Sequence, residues 1–235
     1  GETLARFLNP EDTLLFVSAK APVKNEAMLI ENLQMGKAVC EALQKSPVKH
    51  VAYISSDAVY VDSDSPLSEE SYAQPGSLHG IMHLAREVML TNAWQGPLCL
   101  LRPTLIYGTG DPHNGYGPNR FIRLAKKKEE ILLFGEGEER RDHVWIQDVS
   151  DLICRVLSHR STGILNIATG TVFSFREIAE QATQITPNSS QIKSSPRSGP
   201  MPHNGYRAFD PAATHQAFRD FTYTNLKDGL RKVYG

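Results

Sequence analysis

Short unbroken apolar runs alternate with longer stretches of helical periodicity along the first half of the chain. Leu14-Leu15-Phe16-Val17 follows a polar turn. Such a run predicts a strand covered on both faces, the habit of a parallel sheet. In residues 25–45 the apolar positions Met28, Leu29, Leu33, Val39, Ala42 and Leu43 recur mostly at helical spacing, and Pro47 stops the helix. KHVAYISS predicts a second buried strand. A helix over 76–93 follows, and GPLCLLRPTLIYG predicts a third strand leading into a loop rich in Gly, Pro and Asn. This rhythm predicts an α/β fold, a doubly wound parallel sheet with right-handed crossovers. Ligands in such sheets lie beyond the C-terminal strand ends. Those ends are Ser18-Ala19, Ser55-Ser56-Asp57 and Arg102-Pro103-Thr104, and polar residues gather at all three.

The texture changes after residue 110. A loop and a helix over GDPHNGYGPNRFIRLAKKKEE precede a strand at ILLF, a hairpin-like turn, a strand at RRDHVW and a helix. GILNIATG predicts a strand, and SFREIAEQATQI a helix with Ser174 as N-cap. TPNSSQIKSSPRSGPMPHNG is poor in apolar residues and predicts a long surface loop. TNLKDGLRKVYG closes the chain as a short amphipathic helix. Two regions are expected: 1–110, built on the first sheet, and 111–235, mainly a second lobe with some segments returning to that sheet.

Composition narrows the functional classes. A net charge of −1 over 235 residues leaves no basic surplus for a nucleic-acid partner. No apolar run is long enough to cross a bilayer, and the first residues lack the apolar core of a signal peptide. Cys40, Cys99 and Cys154 are far apart and set among apolar residues, the pattern of buried reduced thiols in a cytoplasmic protein.

Five blocks, in order, resemble one family. FVSAKAPV resembles a strand end beside the cofactor, and YISSDAVYVD is similar to a Ser-Ser-x-x-Val-Tyr-Gly block. LLRPTLIYGTGD is similar to Arg-Pro-x-x-x-Tyr-Gly, RRDHVWIQDVSDLI to Arg-x-x-x-His-Val-x-Asp-Val, and LNIATGTVFSFREIA to an Asn-Ile-Gly-x-Gly segment before a helix. By these blocks the chain resembles the extended short-chain dehydrogenase/reductases, specifically the NAD-dependent nucleotide-sugar epimerases and dehydratases. The resemblance implies a Rossmann-type sheet with a small C-terminal α+β lobe, NAD or NADP as cofactor and a nucleotide-sugar as small-molecule partner. It also implies a homodimer through helices 25–45 and 77–93.

Two departures stand out. The family's Gly-x-x-Gly-x-x-Gly turn, whose glycines let the backbone approach the cofactor pyrophosphate, has no counterpart here. The resemblance therefore implies that the family's first strands are absent, and that a longer chain or another segment covers the outer edge of Leu14–Val17. The second departure is in SLHGIMHLARE. Where the family keeps Tyr and Lys one helical turn apart, this chain has His79 and His83. His79 stands for the proton-exchanging tyrosine, His83 for the ribose-holding lysine, and Ser56 for the residue that orients the substrate hydroxyl.

Several readings of the histidines stand side by side. His79 serves as general base, since imidazole titrates near pH 6.5 (about) without a lysine's help. Or the site binds cofactor or nucleotide-sugar with little turnover. Ligand spacing at i and i+4 raises a metal site, but Gly80 stands where the zinc-protease signature has Glu and no third ligand is evident. Two plain surface histidines complete the set. For the cofactor the resemblance marks Ser18, Ala19, Pro103 and Tyr107. For the substrate it marks Asn119, Phe121 and Arg141, with Arg197 as a further phosphate candidate; Arg141 could instead pair with Glu138 and Glu139. Asp57 precedes Ala58, so the Asp-Glu pair of 4,6-dehydratases is incomplete and epimerase or reductase chemistry ranks higher.

Overall fold

The computed structural model describes residues 1–111, 114–186 and 190–235. They form two compact units. Unit 1 comprises 1–61, 69–103 and 151–166; unit 2 comprises 62–68, 104–150 and 167–235.

Unit 1 is built on a four-stranded sheet in the order β1-β2-β3-β7, with β1 Thr13–Phe16, β2 His50–Ile54, β3 Leu98–Pro103 and β7 Gly163–Ile167. β1, β2 and β3 run parallel, and Phe16 pairs with Tyr53, which pairs with Leu100. β2 is central, and Val51, Ala52 and Tyr53 have no exposure. β1 lies at the sheet edge. Only Phe16 of that strand is buried, and Val17 just beyond it is 56% exposed. After α1, Glu2–Ala5, come two long helices. α2, Glu26–Lys45, is capped by Asn25, whose side chain accepts from Met28 N–H. α3, Leu78–Ala93, is capped in the same way by Ser77 and Gly80 N–H.

Two buried polar knots tie α3 into unit 1. Glu87 takes a two-pronged bond from Arg102, Nε–Oε1 2.9 Å and Nη2–Oε2 2.5 Å, plus the Ser55 hydroxyl at 2.5 Å. Both charged side chains are 4% exposed. Removing one partner of such a pair costs about 3–5 kcal/mol, because the other charge stays buried. Arg86, fully buried, donates to the Asn32 carbonyl of α2 and to the Ser18 carbonyl beyond β1, at 2.6–2.9 Å. Gly80 sets the start of α3: a Cβ there would lie 2.0 Å from the Ala58 carbonyl oxygen. Only glycine lets this turn of helix close on the turn at 57–59.

Unit 2 holds two sheets. β6, Arg140–Trp145, is the hub of one. It pairs parallel with β4, Leu105–Tyr107, and β10, Tyr206–Arg207, and antiparallel with β8, Val172–Ser174. The other is a ribbon of β5, Ile131–Phe134, and β9, Ile192–Ser195. α4, Pro118–Lys127, α6, Phe175–Ile185, and α8, Leu226–Tyr234, close the core around Phe121, Ile131, Leu133, Ile178 and Leu230. Ser174 caps α6 in a full capping box with Glu177. α7 is Ala212–Ala217. α5, Ile146–His159, runs from residues of unit 2 into residues of unit 1.

Four sequence expectations need correction. The segments at 131–134 and 140–145 are not a hairpin, since each pairs with other strands. Gly135 and Gly137 take positive φ between them and divert the chain. The segment read as one long surface loop contains β9, which carries a single apolar residue, Ile192, and is held by main-chain pairing to β5; residues 187–189 of it lie outside the described residues. The third strand is two strands, divided at Thr104, with β4 joining the β6 sheet. Cys40 and Cys99 are buried, but Cys154 is exposed; it lies off the α5 face that buries Val149, Leu152 and Val156. Among the described residues no helix is long and apolar enough to cross a membrane.

Candidate functional site

In unit 1 the C-terminal end of β2 meets the first turns of α3. Ser56 caps the short turn Asp57–Val59, accepting from Ala58 N–H at 3.1 Å, and its hydroxyl reaches Asp57 Oδ1 at 3.3 Å. Asp57 is 8% exposed. The tight approach at Gly80 brings His79 to this turn. Burial holds the His79 imidazole below its usual pKa, and the Asp57 charge opposes that shift. His79 Nδ1 is buried without a hydrogen-bond partner.

His83 lies one turn on, with its ring edge-to-face with His79 at 4.7 Å between centroids. It is 5% exposed, and its Nδ1 is 2.8 Å from the Tyr53 hydroxyl. Burial, reinforced by His79 and the Arg86 cation, drives its pKa down to about 3. Tyr53 is pushed up to about 12 by burial, against the pull of Arg86. At neutral pH this array is therefore uncharged. Among the described residues no group of three potential metal ligands exists.

Of the residues marked for a cofactor, Ser18 and Ala19 are exposed at the end of β1, with the Ser18 carbonyl held by Arg86. Pro103 is buried at the end of β3. Tyr107 belongs to unit 2. It is 2% exposed in the core, its hydroxyl lacks a partner, and a Cβ on Gly229 would lie 1.8 Å from that oxygen.

Unit 2 gathers the substrate candidates differently. Arg141 on β6 is 9% exposed and gives Nη1 to Glu139 Oε1 at 3.0 Å. Arg197, after β9, reaches the other oxygen of Glu139 at 3.6 Å and the Phe134 carbonyl at 3.2 Å. One carboxylate thus sits between two guanidinium groups. Arg197 Nε is buried and unpartnered, and Arg141 Nε and Nη2 have no partner among the described residues. Asn119 accepts from Gly108 N–H at 3.0 Å and donates to Asp111 Oδ2 at 2.9 Å. Phe121 is wholly buried.

The structure adds residues that the sequence reading passed over. Arg207, 1% exposed, pairs with Asp62 at 3.1 Å, and His203 binds the same carboxylate. Burial and the nearby Arg141 cation hold His203 below its usual pKa. Tyr116 stacks on Phe134 at 4.6 Å, and its hydroxyl takes Phe134 N–H at 3.0 Å. A cavity of about 210 Å³ opens beside Tyr116, Asp111, Asn119 and His143. Tyr53 and Arg86 were also missed. Arg86 follows His83 by three residues, a spacing that alone places both on one helical face.

The profile of the NAD dependent epimerase/dehydratase family matches residues 17–168, well over half of the chain. The chain belongs to that family. Its membership agrees with the extended short-chain dehydrogenase/reductase resemblance carried by the five sequence blocks. Over 218 residues it is 27% identical to a UDP-N-acetyl-alpha-D-glucosaminuronate decarboxylase of Bacillus cytotoxicus, covering 86% of this chain and 67% of that protein. It is 24% identical to the uncharacterized UDP-glucose epimerase YtcB of Bacillus subtilis, covering 85% of this chain and 64% of the relative. The chain thus spans about two thirds of the length of these curated relatives. Among solved structures it is similar to MoeE5 in complex with UDP-glucose and NAD, with a TM-score of 0.83 at 23% identity, over 98% of this chain and 80% of that one. That likeness establishes the Rossmann-type fold of this epimerase-family chain.

Proposed function

We propose that this epimerase-family chain binds a nucleotide-sugar and acts on it through His79 in place of the family tyrosine. The observation that carries the reading is the pair Arg141 and Arg197. Both guanidinium groups share Glu139 yet keep unengaged N–H donors, and a forked cation with free donors suits a diphosphate. In unit 1 His79 is a neutral imidazole near the turn that Ser56 caps, and its Nδ1 is buried without a partner among the described residues. It can accept a proton from a sugar hydroxyl that Ser56 orients.

The cofactor fit is partial. Ser18 and Ala19 at the exposed end of β1 suit a ribose or nicotinamide contact, as does Pro103 at the end of β3. The residues of this chain form no glycine cradle for a pyrophosphate. NAD or NADP, when bound, would supply hydride exchange.

A second reading, binding without turnover, is favoured by His83. Its Nδ1 is taken by Tyr53 and it carries no charge, so no permanent cation at that position lowers the pKa of the neighbouring proton carrier. A nucleotide-sugar panel with NAD and NADP separates the two. Turnover that His79→Ala abolishes, and that the double change His79→Tyr and His83→Lys alters, supports catalysis. Thermal stabilisation by UDP- or dTDP-sugars without turnover supports binding alone. If no nucleotide-sugar binds, the proposal fails.

The same reading includes a homodimer through α2 and α3. Ile30 on α2, and Ile81 and Val88 seven residues apart on one face of α3, are 43–55% exposed. Light scattering that gives a monomer for the wild type would refute this, whereas a dimer dissociated by Val88→Glu would support it.

A further inference from the structure

We propose that Tyr53 is a positioning residue that fixes His83 in one tautomer, so that α3 offers a ligand hydroxyl a neutral Nε2–H donor where a cation would otherwise stand. The inference rests on the reading of the α3 site given above.

The argument starts from the Tyr53 proton. Tyr53 has no exposure, and a buried hydroxyl must donate somewhere. Among the described residues its only acceptor is His83 Nδ1, at 2.8 Å. Arg86, which also faces this hydroxyl, is a donor and cannot take the proton. If His83 carried its hydrogen on Nδ1, the Tyr53 proton would be orphaned in the core. The arrangement therefore places the His83 hydrogen on Nε2.

Arg86 supplies the second half of the device. It is fully buried, its nitrogens end on the Asn32 and Ser18 carbonyls and the Asn32 amide oxygen, and it lies 4.8 Å from the centre of the Phe16 ring. No carboxylate pairs with it among the described residues. A second cation on His83, 5% exposed and one helical turn away, would set like charge beside a buried cation, while the buried Glu87 carboxylate is already held by Arg102. Tyr53 thus sets which nitrogen bears hydrogen, and burial, with His79 and Arg86 beside it, keeps His83 at a single hydrogen. A neutral imidazole N–H is a directional donor to one lone pair, matched to a sugar or ribose hydroxyl acting as acceptor.

The test is long-range proton–nitrogen NMR on the chain labelled with ¹⁵N-histidine. The expected result for the wild type is a single Nε2–H tautomer of His83, unchanged between pH 8 and 5 (about three pH units of titration). Tyr53→Phe should bring the two ring-nitrogen shifts toward each other as the tautomers mix. A wild-type His83 that is protonated at pH 7 or carries hydrogen on Nδ1 overturns the proposal, as does an unchanged spectrum in a folded Tyr53→Phe variant. The wild-type spectrum decides the matter even where that variant does not fold. Saturating UDP-glucose should shift the His83 Nε2 resonance. Saturation, read by thermal shift, without movement at Nε2 overturns the donor role. Absence of any UDP-glucose binding strikes the proposed function and leaves the tautomer result standing.

Discussion

The two units handle charge in opposite ways. In unit 2 the guanidinium groups of Arg141, Arg197 and Arg207 crowd around Glu139 and Asp62. In unit 1 the helix positions where the family keeps a tyrosine and a lysine hold two imidazoles, both kept neutral by burial, with His79 and the Arg86 cation adding to the effect at His83. On the proposed function, anion binding and proton handling are separable in this chain. The first keeps its permanent charges, while the second relies on groups whose state depends on their surroundings.

The largest effect should come from the ion pair that anchors α3. Glu87→Ala leaves Arg102 buried without a partner and should cost about 3–5 kcal/mol in a urea or thermal melt. A change below about 1 kcal/mol would mean that α3 is not held this way.

Acid should act next. His83 and His143 both have pKa values driven to about 3 by burial, and both ring nitrogens of His143 lack partners. The unfolded chain, with histidines near pH 6.5 (about), then binds protons that the native state refuses. The contribution of these groups is whole above that pH and declines as pH falls toward 3, by about 1.4 kcal/mol per pH unit for each histidine. His143→Phe should flatten the acid limb of a plot of Tm against pH. An unaltered slope would contradict the burial argument.

Gly80→Ala forces a Cβ to within 2.0 Å of the Ala58 carbonyl. Overpacking of this kind costs about 1–3 kcal/mol. It should also lift His79 away from Ser56, so a melt and a histidine NMR spectrum should change together. A stable variant with an unshifted His79 signal would show that the contact is soft.

Much of unit 1 was legible in the sequence because its signals are local. Unbroken apolar runs marked β1, β2 and β3, and helical periodicity marked α2. Unit 2 was harder. IKSS has too few apolar residues to declare a strand and is one only because β5 offers it a main-chain edge. Gly135 and Gly137 look like a hairpin turn but separate strands of different sheets. Site candidates carried by motif, such as Ser56, His79 and Arg141, could be named in advance. Tyr53, Asp62, His203 and Tyr116 could not, since their contacts join segments as far as 145 residues apart, as in the Asp62–Arg207 pair. For Phe121 and Tyr107 the sequence could not distinguish a core ring from a ligand contact; both are in the core of unit 2.

The most direct test of the separation between binding and proton handling is a calorimetric titration of UDP-glucose into the wild type, Arg141→Ala and His79→Ala. Arg141→Ala should weaken binding by roughly tenfold or more, the loss of about 1.5–3 kcal/mol typical of a charged hydrogen bond. His79→Ala should stay within about threefold of the wild type, under 1 kcal/mol. Equal losses in the two variants, or no binding by the wild type, would contradict the account.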